Sequence, residues 1–205
     1  MTIEKGKPWG QEILVPDSVV SIGGDYELAQ IDKTAVCVLS GGDLWRALGE
    51  PVIKSVGSTA TAVEVDAVEV TIALQGVMSV LIASSSVEIG SWVPRSLRKA
   101  HRYVALTNSG ILSGCNIAPR AHPNDGYIHV MTVEASMPLT QRVMSRRRAK
   151  TGSHIPHPNI SVSRINAFEA IRESRNETLR IDGRTIREWD SLTVRVLPDY
   201  WNVII

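Results

Sequence analysis

Four histidines, His122, His129, His154 and His157, lie close together in the sequence with Asp125 among them. These are the residue types of a metal centre. Pro156 and Pro158 interrupt the His154–His157 pair, so the helical face that usually presents two such ligands is not available there. The competing reading is that these imidazoles pack and hydrogen-bond within their loop. Cys37 and Cys115 sit among small or apolar residues without metal-ligand spacing, which predicts two buried thiols in a reducing cytosol. Ser109 precedes a glycine, but no nucleophile elbow, HExxH or P-loop accompanies it. Two carboxylates sit at turns, in Asn124-Asp125-Gly126 and Asp182-Gly183. Taken alone each is a hairpin turn, because Asp and Gly both tolerate positive φ.

The elements that must position these residues are mostly strands. A short pattern occurs twice: Val19–Asp25 before YELAQI, and Val36–Asp43 before LWRALG. Each predicts a strand, a Gly-Gly turn, an aspartate N-cap and a short helix. Gly49 and Pro51 end the second helix. Residues 1–16 form an irregular entry segment that Trp9 anchors. From Ala60 onward apolar residues alternate with Glu64, Asp66, Glu69 and Thr71, the period of half-buried strands. The phase changes at Asp66-Ala67, which predicts a turn or bulge. Gln75-Gly76 predicts a hairpin before VMSVLI. Strands follow at 103–107 and 127–133, then a helix from Pro138 to Lys150, then closely spaced strands from about residue 160 to the end. The expected fold is mainly β (α+β). A β-sandwich-like domain over 59–205 follows a short, reduced α/β-like segment over 1–58.

The 205 residues are 43% hydrophobic and 21% charged, which suits a folded chain with an apolar core and argues against disorder. The net charge of +1 supplies no global field selecting nucleic acid or membrane. Basic residues do cluster, at Arg95, Arg98, Lys99 and Arg102 and again at Arg142, Arg146, Arg147, Arg148 and Lys150. Each run is either a solvated face or a surface for anionic head groups. The N-terminal MTIEKGKPWGQE has no apolar h-region, and no stretch reaches the ~20 apolar residues of a membrane span. The expected location is cytoplasmic, with any membrane contact peripheral and at the inner face.

Several segments, in order, resemble the C-terminal β-rich domain of the diacylglycerol kinase and bacterial lipid kinase family, which is related to the NAD kinases. They are Val104–Asn108, Ser109-Gly110 with Gly114, Ala118-Pro119 with Asp125-Gly126, Gly152–Pro158, Leu179–Gly183 and the closing SLTVRVLPDYWNVII. The resemblance implies that Asp182 is the general base, taking the proton of a lipid hydroxyl as it attacks the γ-phosphate of ATP. It implies that Asp125 helps hold a structural Mg²⁺, and that Gly41, Gly42, Asp43 and Asn108 face the nucleotide. Three departures stand out. Arg184 replaces the glutamate that usually follows the second Asp-Gly, and His129 replaces an aspartate after the first. Both Gly-Gly-Asp turns lack the Gly-Thr that lets the family's loop approach phosphates.

The reading that follows is a lipid kinase-like protein without a complete nucleotide lobe. It is a non-catalytic or partner-dependent relative, a pseudoenzyme, that keeps the lipid-substrate domain. The alternative is an active lipid kinase using ATP and Mg²⁺ with Asp182 as base. Either implies a lipid or other small hydroxyl substrate, with a protein partner or second copy as a further candidate, and neither implies nucleic acid. In the kinase reading Asp182 lies exposed near Asn108 and a basic patch.

Overall fold

The computed structural model describes residues 8–94 and 101–205. Arg95, Arg98 and Lys99 of the first basic run lie outside the described residues, as does the start of the entry segment. The chain is mostly β, and two strands organise it. β4 (Thr59–Leu74) and β15 (Ser191–Ile204) pair antiparallel along nearly their whole lengths. β1 (Gln11–Leu14) and β5 (Val77–Ala83) pair with β4, and β12 (Ala167–Ile171) pairs with β15. The sheet then continues through β3 (Val36–Leu39), parallel to β15, and β2 (Val20–Ile22), parallel to β3.

The phase change at Asp66 has a structural counterpart. Val63 and Val65 point to one core, which they share with Trp201 and Val203, whereas Val68, Val70 and Ile72 point to another, which they share with Leu192 and Val194. The bulge itself is carried by β15, where the register shifts between Leu197 and Trp201 and Asp199 adopts φ 52°. The two long strands thus change faces together, and one pair serves two cores.

The second sheet orders β11 (Ile160–Ile165), β10 (Ile128–Val133), β7 (Tyr103–Thr107), β6 (Ser86–Ile89), β13 (Leu179–Ile181) and β14 (Arg184–Ile186). Its inner face carries Val87, Val104, Leu106, Ile128 and Val130 against the first sheet, making the sandwich core. Its outer face carries Tyr103, Ala105, Met131 and Val133 against Trp92, Met137 and Ala149. Ala149 ends helix α3 (Leu139–Ala149), so α3 forms a third layer. Because β7 and β10 are buried on both faces, apolar residues occupy both sets of alternate positions, and the polar Thr107, His129 and Thr132 among them are buried too.

The repeated Gly-Gly-Asp pattern folds as expected into strand-helix pairs, with α1 (Asp25–Leu28) after β2 and α2 (Gly42–Ala47) after β3. Leu28 and Leu44 from these helices enter the core beneath Trp201. Trp9 anchors the entry segment as expected, donating its indole N–H to the Glu64 carbonyl at 3.2 Å.

Candidate functional site

The sequence places Asp25 and Asp43 as caps of their own helices, and the structure corrects this. The N-cap positions are Gly24 and Gly41, without side-chain caps. The Asp25 carboxylate instead reaches across to the other repeat and accepts the Asp43 N–H at 2.7 Å and the Leu44 N–H at 3.1 Å. The glycines allow this approach. A Cβ on Gly41 would meet the Gly23 carbonyl at 2.6 Å, and one on Gly42, at φ 96°, would strike the Asp25 carboxylate. Asp43 in turn accepts the N–H groups of Ser113 (2.5 Å) and Gly114 (3.0 Å) and pairs with Arg46 at 3.2 Å. Ser113-Gly114 is the turn between β8 (Ile111–Leu112) and β9 (Cys115–Asn116). The two aspartates therefore stitch the N-terminal repeats to each other and to the β-rich part.

Asp182 sits in a two-residue turn between β13 and β14, with φ 45° at Asp182 and 77° at Gly183, the left-handed pair of a tight hairpin. Its carboxylate turns away from its own hairpin. Ser84–Ser86 is where the chain crosses from β5 in one sheet to β6 in the other, and all three of its backbone N–H groups donate to Asp182, at 2.7, 3.0 and 2.9 Å. Three convergent amides form a concave anion cradle, here filled by an internal carboxylate. Burial pushes the Asp182 carboxyl above its ordinary value, against the opposing pull of the three amides. The Ser84 hydroxyl donates to the Asp25 carbonyl at 2.8 Å, which brings the Asp182 hairpin and the α1 repeat to one junction. Burial, with the nearby charges of Asp182 and Asp43 adding to it, raises Asp25 to about 6.

Asn108 is buried behind this junction. Its Nδ2 donates to the Asp66 carbonyl at 2.7 Å and the Ser84 carbonyl at 3.0 Å, bracing the sheet crossing from the other side. Arg184 and Tyr26, two residues that depart from the family pattern, meet each other. The Arg184 guanidinium, two residues after Asp182, lies 3.3 Å from the Tyr26 ring centroid.

Asp125 is held elsewhere. Its Oδ2 pairs with His129 Nε2 at 2.9 Å, and its Oδ1 accepts the Tyr127 N–H at 3.1 Å. His129, a further departure from the family pattern, thus engages the carboxylate that the resemblance assigns to Mg²⁺. Among the described residues no group of three or more His, Cys, Asp or Glu could hold a metal ion. Asp125 is held by its own neighbours, His129 and Tyr127. The start-of-α2 amides of Asp43 and Leu44 are likewise engaged, by the Asp25 carboxylate. The other histidines act singly. His122 Nδ1 accepts the Asn124 N–H while its ring packs on Trp9, and His157 Nδ1 accepts the Asn159 N–H.

The second basic run is also not one surface. Arg142 is fully buried and spends its guanidinium on the carbonyls of Met137, Trp92, His101 and Glu134, whereas Arg146, Arg147, Arg148 and Lys150 are exposed. Sequence reasoning missed the carboxylate exchange of Asp25 and the Ser84–Ser86 cradle. The signals were present, as a repeated Gly-Gly-Asp and three consecutive serines after a strand, but neither names its partner.

Comparison with known proteins agrees with this architecture. Residues 58–205 match the family described as the YegS C-terminal NAD kinase beta sandwich-like domain. Solved structures of similar fold include a diacylglycerol kinase from Bacillus anthracis str. Sterne, with a TM-score of 0.59 at 13% identity, covering 91% of this chain and 76% of that one. Another is the yeast NADH kinase complexed with NADH, with a TM-score of 0.52 at 11% identity, covering 91% of this chain and 60% of that one. At such identities the likeness is one of fold. No curated protein matches by sequence.

Proposed function

Because the chain belongs to the YegS C-terminal NAD kinase beta sandwich-like domain family, we propose that it is a kinase-related substrate-binding protein that does not transfer phosphate on its own. A partner chain would have to supply the nucleotide for any transfer. The observation that carries this reading is the occupancy of both anion cradles by internal carboxylates. Asp25 fills the amides of Asp43 and Leu44, and Asp182 fills those of Ser84–Ser86. A carboxylate bonded at both oxygens is a poor acceptor for a substrate proton, and amides already satisfied do not approach phosphates.

One observation favours the second reading, an active kinase of lipid or similar hydroxyl substrates. Burial raises the Asp182 carboxyl above its ordinary value, in the direction that suits a base near neutral pH. Calorimetric titration of the purified chain with ATP and Mg²⁺ separates the two. The proposal expects no binding into the millimolar range. Binding that is lost in Asp43→Ala, together with phosphorylation of a hydroxyl substrate that is lost in Asp182→Asn, would overturn it.

A further inference from the structure

Beside the Asp182 hairpin, on the side facing α3, lies a cavity of about 330 Å³. Its polar lining includes Glu88, Tyr103, Arg146, Arg180 and two serines, Ser91 and Ser113, with Gly183 beside them. We infer that this cavity binds the phosphate or carboxylate group of a small hydroxylated molecule.

The charges are arranged for an anion. Glu88 is the single carboxylate in the lining, and it is already engaged. Its Oε2 accepts the Tyr103 O–H at 2.6 Å and faces Arg180 Nη1 at 3.6 Å. That pairing fixes Arg180 at the wall. Arg146 is exposed and forms no ion pair among the described residues. Two guanidinium groups against one carboxylate leave a net positive cavity, and a guanidinium fork matches a phosphate or carboxylate in shape. The floor is rigid, since the buried Tyr103 ring stacks on Trp92 with centroids 6.0 Å apart. The apolar wall is limited to Trp92, Leu112 and Cys115. That is too little to sheath an acyl chain, and it selects a polar ligand over a neutral lipid tail.

The cavity adjoins the junction described above. Gly183 follows Asp182, and the Ser113 amide is held by Asp43. An anion anchored between Arg146 and Arg180 would leave the rest of its molecule at the Asp182 turn. The inference rests on the proposed function only in taking the chain as a substrate-binding protein, and it adds the place where the substrate's anionic group is held.

The test is calorimetry without nucleotide, using glycerol 3-phosphate, inorganic phosphate and uncharged glycerol as probes. The expected result is binding of both phosphates and none of glycerol, weakening with added salt. Arg146→Gln and Arg180→Gln should each weaken it about tenfold. Glu88→Gln should tighten it, a gain that a misfolded variant cannot produce. Arg195→Gln, on the Arg195–Glu69 pair of the other sheet, should leave it unchanged. No phosphate binding, or an affinity indifferent to both arginine variants and to Glu88→Gln, would overturn the inference. Flotation with phosphatidylglycerol against phosphatidylcholine vesicles distinguishes the source. Retention on the anionic vesicles that is lost in the arginine variants assigns a lipid headgroup, and its absence beside glycerol 3-phosphate binding assigns a soluble ligand. Because nucleotide is absent throughout, failure here leaves the ATP titration to be judged separately.

Discussion

Asp66 shows how a single buried carboxylate serves as a structural hub. It is fully buried, and it accepts the N–H groups of Gly126 at 2.8 Å and Asp199 at 3.0 Å. Burial, reinforced by the charges of Asp199 and Asp125, raises it from 3.8 to about 6 despite those bonds. A carboxyl raised on folding holds its proton more tightly in the native state. Its contribution is therefore fully present below about 3.8 and is lost as pH rises through about 6. The amount at stake is about 3 kcal/mol at most. Asp66→Asn cannot titrate, so the stability advantage of the native chain over this variant should be largest near pH 4 and shrink toward pH 7. Urea unfolding midpoints across that range check it, and a pH-independent difference would show that Asp66 titrates normally. The sequence displayed this position only as a break in alternation. A period of two reports which face a side chain takes, but it carries no signal for a carboxylate that bonds amides from two distant loops.

Among elements, the contact between the β13–β14 hairpin and the Ser84–Ser86 crossing ties the two sheets together. The turn chemistry of Asp182-Gly183 was legible in the sequence, because positive φ at both positions favours that dipeptide. The target of the carboxylate was not, since Ser84 is separated from Asp182 by 98 positions and bonds through its backbone, which any residue provides. Truncation in Asp182→Ala strands three amides at the point where the chain changes sheets. The expected cost is about 2–4 kcal/mol, the upper end for loss of a charged acceptor with several donors. Asp182→Asn, which keeps one acceptor oxygen, should cost less. Chemical denaturation measures both, and a loss under about 0.5 kcal/mol in Asp182→Ala would show that the cradle is not structural. The length and position of α3 were also legible, whereas the burial of Arg142 was not. A guanidinium aimed at backbone carbonyls leaves no pattern in side-chain type.

At the scale of the molecule, composition and periodicity were enough for a mainly β chain, and the ordered motifs pointed to the family that the comparisons support. They said less about how the N-terminal repeats join the rest. β1, β2 and β3 all belong to the sheet built on β4 and β15, and β3 runs parallel to the end of β15. Leu28, Leu39 and Leu44 bury Val63, Val65, Trp201 and Val203 in one shared cluster. Removing residues 1–58 would open that cluster, leave Asn202–Ile204 without a β3 neighbour, and free the Ser113-Gly114 turn from Asp43. Exposing several large apolar side chains costs roughly 1.5–3 kcal/mol each, and a handful of them rivals the whole stability of a domain this size. The fragment 59–205 should therefore not unfold as a cooperative unit, while the full chain shows a single transition by both near- and far-UV circular dichroism. A sharp, native-like melt of the fragment alone would mean that the β-rich part is energetically independent. The N-terminal repeats would then be an appendage, not half of a core.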